Sequence, residues 1–381
     1  MRSISIDSPV VRRTLAGAVA ALLVLLSSGP EWRPLTAAAS GLVPAPIPPG
    51  DNNWAAGWHK NDLDNQVDAQ AFGPDGTLYA AGSFVGAGGI VGNRVVRLVD
   101  GVWQPLGSGL NAGALALAID GAGNVFVGGS FTTAGGSSAN RIARWDGSAW
   151  SALGSGLNGP VAALAIDGAG NVFAGGSFTT AGGTAASSVA RWNGSTWSAL
   201  GSGLNGPVET LLVDHAGQLR AGGGFRGSGS CPHCEFMATW NGSSWVGSGV
   251  PSPSNPNNFL YFNNTVFALA EDANNVLYAA GGFSQAPGCP GCNRMSRFNG
   301  SQWSALTGSM PAPGCSATDN FGAIFALAID SQNHIYAGGS FAPNGFICPG
   351  FNGIWKWTGA SFVALDGGLS QPIVQSLIID D

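Results

Sequence analysis

From Val67 onward the chain alternates short apolar runs of four to seven residues with clusters of Gly, Asn, Asp and Ser. Runs this short, bounded by turn residues, predict β-strands rather than helices. The pattern also repeats. Ala114 opens ALALAIDGAGNVFVGGSFTTAGG, and Val161 opens the near-copy VAALAIDGAGNVFAGGSFTTAGG. The same frame starts at Val67, Ala114, Val161, Val208, Val266 and Ile324, and begins again at Val374. Each full copy holds four runs: strand A (ALAID type), strand B (NVFAGG), strand C (SVARW) and strand D (WSALGSG). Asp-Gly-Ala-Gly-Asn at 120–124 and 167–171 predicts the A–B turn. Asp146–Gly147, Asn193–Gly194, Asn241–Gly242 and Asn299–Gly300 predict a tight C–D hairpin, because these pairs tolerate positive φ. Four antiparallel strands per unit of about 45 residues is the arithmetic of a β-propeller blade. The expected fold is all-β, with six four-stranded blades over 54–381 and a closing strand at 374–380. A seven-place ring with an incomplete blade is the alternative.

Aromatic residues recur once per unit at two places. Strand C ends in Trp145, Trp192, Trp240, Phe298 and Trp357, and strand D begins with Trp103, Trp150, Trp197, Trp245, Trp303 and Phe362. Such regularity predicts packing between neighbouring blades. Strand B ends in glycine pairs (Gly128–Gly129, Gly175–Gly176), which suit close backbone approach. An apolar strand ending in a Gly pair, followed by a Trp in a turn-strand pattern (NVFVGG…RWDGSAWSAL), resembles the bacterial extracellular kelch-like repeat family. The resemblance covers about 67–380 and lacks that family's regular intermediate Tyr. It implies a propeller. It does not imply one activity, since related propellers include oxidases, glycan-binding modules and protein-interaction scaffolds.

Only 9% of residues are charged, against roughly 25% in an ordinary soluble domain. Net charge is -6. No run of Lys or Arg occurs, which argues against nucleic acid and against an anionic membrane surface. Arg12 and Arg13 precede the apolar run Leu15–Leu26, and Ala37–Ala38–Ala39 offers a cleavage site. Residues 1–39 therefore read as a secretory signal, and 40–53 as a Pro-rich spacer. No other stretch is long enough to span a bilayer, so the mature chain is expected to lack a membrane span and to be a monomer.

Repeats 4 to 6 carry insertions. They fall in B–C loops (226–236, 284–294, 342–352) and D–A loops (248–265, 306–323). Because strands alternate direction, all of these emerge on one face. Binding residues gather on loops over a rigid scaffold, so that face is the expected binding surface. Within 248–265, Phe259, Tyr261 and Phe262 lie among Asn and Ser, a mixture suited to stacking and hydrogen bonding with sugar rings. Trp54 and Trp58 in the entering segment, and Asp319 in the last D–A loop, are placed on the same rim.

Six Cys lie in the last three repeats. Their even number and an export signal predict disulfides. The expected pairs are Cys231–Cys234, Cys289–Cys292 and Cys315–Cys348. A zinc site at Cys231, Cys234, Cys289 and Cys292 is the sharper alternative. Asp62, Asp64 and Asp68 are a weak calcium candidate that departs from the EF-hand pattern. Two literal GxGxxG matches, at Gly154–Gly159 and Gly201–Gly206, precede strands and belong to the repeat. No nucleophile–base–acid set is visible, so no catalytic residue is assigned. The expected function is a secreted or cell-surface scaffold that binds an extracellular glycan or protein through the loops of repeats 4 to 6. The alternatives are a polysaccharide-acting enzyme using rim carboxylates (Asp64, Glu235, Asp319) and a mainly structural envelope protein.

Overall fold

A computed structural model of the chain describes residues 21–26, 63–228, 231–252, 255–306, 322–340, 353–364 and 373–380. It contains six four-stranded antiparallel sheets, each in the order A-B-C-D. Strand A is Val67–Phe72, Ala114–Ile119, Val161–Ile166, Val208–Val213, Val266–Glu271 and Ile324–Ile329 in blades 1 to 6. Strand B is Leu78–Gly82, Val125–Gly129, Val172–Gly176, Leu219–Ser228, Leu277–Gly281 and Ile335–Gly339. Strand C is Val95–Val99, Ile142–Trp145, Val189–Trp192, Cys231–Trp240, Met295–Phe298 and Ile354–Trp357. Strand D is Val102–Pro105, Trp150–Ala152, Trp197–Ala199, Trp245–Gly247, Trp303–Ser304 and Phe362–Ala364. From blade 1 to blade 6 each strand A packs against the strand A of the next blade, so the A strands form the inner wall of the ring.

Turn chemistry sets the blade ends. Asp120 Oδ1 accepts hydrogen bonds from Ala122 N and Asn124 N, and Asp167 repeats the arrangement one blade on. A carboxylate that caps its own turn needs no metal. The C–D hairpins place Gly147 at φ 99° and Gly194 at φ 96°, where a Cβ is disfavoured.

The blades are stapled by tryptophan. Trp150 Nε1 donates to Leu106 O in the preceding blade at 2.7 Å. Trp197 and Trp245 do the same to Leu153 O and Leu200 O, at 2.8 and 3.0 Å. The Gly pairs allow the tight approach. A Cβ on Gly175 would stand 2.5 Å from Val208 Cγ1 of the next blade, and one on Gly176 would stand 2.1 Å from Pro160 O.

Val374–Asp380 lies between strand A of blade 6 and strand A of blade 1. Val374 fills the place that Val208 fills elsewhere, since a Cβ on Gly338 would meet Val374 Cγ1 at 2.5 Å. The ring of six complete blades therefore closes through a seventh inner strand. That strand pairs antiparallel with Ala21–Leu26. These six residues belong to the apolar run that the sequence assigns to an export signal. Cleavage at 37–39 would remove them and open the outer edge of the closing strand.

Candidate functional site

The D–A and B–C connections share one end of the ring. In blades 1 to 3 the B–C connection is itself a small hairpin, such as Thr133–Ala134 with Ser137–Ser138, turning through Gly135 and Gly136 at φ 60° and 81°. Asn111 in the entering D–A loop holds it, accepting from Thr132 N and Thr133 N. Asn158 and Asn263 repeat this in blades 3 and 5. In blade 1 the same position is Asp64, which accepts from Val85 N and Gly86 N at 2.8 Å each. Asp64 is thus a loop-holding residue. Among the described residues, no three His, Cys, Asp or Glu side chains gather as a metal site.

Every strand A carries a bulge at its second residue, and the closing strand shows the same irregularity. Bulges re-aim side chains. The seven bulge residues are Asp68, Leu115, Ala162, Glu209, Phe267, Phe325 and Gln375. They sit on the inner wall at the loop-bearing end. Phe267 and Phe325 meet edge to face across blades 5 and 6, with centroids 5.2 Å apart. The Asp68 carboxyl is pushed up to about 6 by burial, against the opposing pull of hydrogen bonding from Gln66 and Ser83. Burial also raises Glu209. The axial mouth is therefore part carboxyl and part aromatic.

The second feature stands on the rim. Blade 4 has no small hairpin. Instead its B and C strands run on as the long pair Leu219–Ser228 and Cys231–Trp240. The interval read from sequence as the loop 226–236 is thus largely strand. Its tip is tied by the disulfide Cys231–Cys234. Beside it, Val250–Ser252 and Asn255–Leu260 pair as a further hairpin in the D–A connection. The two are joined by aromatic contact. The His233 ring stacks on Phe259 with centroids 4.1 Å apart, and on Tyr261 at 6.0 Å. His233 Nδ1 and Tyr261 Oη are hydrogen-bonded. The Tyr261 phenol is held above its ordinary range by desolvation first and by the Glu235 carboxylate second. Phe259 and Tyr261 are half-buried and His233 is exposed, which leaves a shelf of three roughly parallel rings.

Of the residues expected at the site, Phe259 and Tyr261 are on this shelf. Phe262 is not. It is 1% exposed and packs edge-on against Phe283 and Trp303 in the core of blade 5. It occupies the core position held by Leu63, Leu110, Leu157 and Leu204 in blades 1 to 4. Trp54, Trp58, Asp62 and Asp319 lie outside the described residues, as does the expected pair Cys315–Cys348. Cys289–Cys292 is bonded as expected. With both CxxC pairs oxidised, their sulfurs offer no thiolate to zinc. His215 and His334 serve plain-face turns, bonded to Glu271 and Asp330. His233, Glu209, Phe267 and Phe325 are the site residues that sequence reasoning missed.

A closed ring of four-stranded blades, plain on one face and carrying extra hairpins on the other, defines a six-bladed β-propeller. The chain belongs to the family of the Rax2 C-terminal β-propeller domain, whose model matches residues 107–307. A second model, the DUF5122 β-propeller, matches residues 73–98. The kelch-like likeness thus holds at the level of the propeller, and the family is Rax2. A search of curated proteins finds no match. Among solved structures, PorZ of Porphyromonas gingivalis, a surface component of the type-IX secretion system, is similar with a TM-score of 0.54. The identity is 15%, over 83% of this chain and 44% of that one. The extracellular domain of the two component system BT4673 from B. thetaiotaomicron gives a TM-score of 0.52 at 12% identity, over 83% and 36%. The WD40 repeats of RRP9 give 0.51 at 11% identity, over 84% and 85%. The chain spans less than half the length of the first two. At these identities the likeness concerns the fold.

Proposed function

We propose that this protein is a secreted or cell-surface recognition scaffold, binding an extracellular carbohydrate or protein through the loop-bearing face of repeats 4 to 6. The observation that carries the reading is the ring shelf of His233, Phe259 and Tyr261, fixed on the rim by the Cys231–Cys234 disulfide. Parallel rings with hydroxyl and imidazole edges offer stacking and hydrogen bonding together, at low entropic cost because few torsions must be ordered. The export-type N-terminus and two small disulfides support a location outside the cytoplasm. Low charge leaves little electrostatic steering, so contact area and hydrogen bonds carry affinity.

The test is incubation of the disulfide-intact protein with a polysaccharide panel and with surface-protein extracts, following protein depletion and released sugar. Depletion without released sugar is expected. Released sugar would assign an enzyme instead, and would direct attention to Asp68 and Glu209 at the axial mouth. No depletion by any surface would leave a structural role.

A further inference from the structure

The residue just before strand C has positive φ in five blades, Arg94, Arg141, Ser188, Arg294 and Gly353, and its counterpart inside the long strand C of blade 4 is Phe236, also at positive φ. Where it is arginine, its guanidinium turns back into the loops of the same face. Arg94 Nη1 donates to Leu110 O. Arg141 Nη1 donates to Ser130 O and Phe131 O, and Arg294 Nη1 to Gly282 O and Phe283 O. In three blades the guanidinium is thus bound by main-chain carbonyls, those after strand B in blades 2 and 5 and that of the following D–A loop in blade 1.

Blade 3 keeps the site and lacks the arginine. Ser188 is the counterpart of Arg141, at φ 62° against 66°. The counterparts of the accepting carbonyls are those of Ser177, Phe178 and Leu204. Among the described residues no arginine side chain donates to them. In place of the guanidinium there is a cavity of about 330 Å³. Its floor is the buried Phe178, Ser188 and Leu204, and its rim is the exposed Thr179, Ser187, Ser202 and Asn205. The exposed rim opens the cavity to the loop-bearing face. Asn205 adds to it. Asn111 and Asn158, at the same position, spend their amides on small hairpins, and blade 4 has no such hairpin for Asn205 to hold.

We propose that this cavity is a binding site for a guanidinium group supplied from outside, as the arginine side chain of a partner protein. A planar cation with several N–H donors suits a pocket bordered by Phe178 and Leu204, whose counterparts in sister blades offer main-chain carbonyls to an arginine. The hydroxyl rim of Thr179 and Ser187 can accept hydrogen bonds from the partner's main-chain N–H groups. This site is separate from the ring shelf on blades 4 and 5, so either can fail without the other.

The probe is N-acetyl-arginine methylamide, titrated into the disulfide-intact protein by amide NMR. The lysine analogue and the neutral, isosteric citrulline analogue serve as comparisons. Saturable shifts confined to residues 177–188 and 202–206 are expected, with citrulline at least about tenfold weaker, since charge-assisted bonds are roughly twice as strong as neutral ones. Ser188→Arg should fold, because arginine already adopts this φ in blades 1, 2 and 5. Its own guanidinium should fill the slot and abolish the shifts. No saturable shift, equal response to arginine and citrulline, or an undiminished response in Ser188→Arg would each overturn the proposal. If lysine binds as well as arginine, the carbonyl fork is not the recognition element and the guanidinium assignment is also overturned.

Discussion

Asp68 shows how much one side chain can change with its blade. At the bulge position of strand A the other places hold Leu115, Ala162, Phe267, Phe325 and Gln375, with one further carboxyl, Glu209. Burial raises Asp68 from 3.8 to about 6. Its protonated form is thus favoured on folding. Stability from this residue is complete below its unfolded value and is lost as pH rises through the folded one. The shift corresponds to about 3 kcal/mol at most, somewhat less for its partial solvent access. Thermal unfolding followed from pH 4 to 8 should show the wild-type protein losing stability up to about pH 6 relative to Asp68→Asn. Parallel curves for the two proteins would show that Asp68 is not desolvated as described. Sequence alone gave Asp68 the role of a possible calcium ligand, because three acids close in the chain look alike. Only the bulge, which breaks the two-residue alternation, turns Asp68 to the axis while Asp64 holds a loop.

At the scale of the strand, repetition made the structure readable. The Trp of strand D and the Gly pair of strand B recur at one spacing, so a single physical role had to explain all of them. Blade-to-blade packing does. Trp197→Ala removes a buried ring together with its bond to Leu153 O, and should cost about 3–5 kcal/mol in denaturant unfolding. Gly175→Ala drives a methyl into Val208 and should cost about 1–3 kcal/mol, with partial recovery in Gly175→Ala/Val208→Ala. Additive losses in that double variant would argue against direct contact. Where repetition stops, the reading weakened. Phe262 looked like part of an exposed aromatic cluster, yet counting back from strand A puts it in register with Leu110 and Leu157, a core position. His233 lay hidden between two cysteines, and only the long blade 4 hairpin brings it over Phe259.

For the whole molecule, the asymmetry of the two faces was legible from loop lengths and strand direction. The small hairpins of blades 1 to 3 were not, because two-residue strands leave almost no periodic signal. The seventh inner place was announced by the strand A frame beginning again at Val374, and packing sets Val374–Asp380 between blades 6 and 1. The resulting ring holds three distinct features on one face: an axial mouth with carboxyls and phenylalanines, a cavity in blade 3 rimmed by hydroxyls and an amide, and an aromatic shelf over blades 4 and 5. The shelf is the central claim. Its most direct test is the affinity of the polysaccharide or surface protein that depletes the wild-type chain, measured for Phe259→Ala/Tyr261→Ala. His215→Ala, on the plain face, is the control. Two aromatic contacts at about 0.5–1.5 kcal/mol each predict a loss of about fivefold to a hundredfold for the shelf variant. The control should bind as the wild type does. Unchanged affinity in the shelf variant, with its fold intact, would contradict the account.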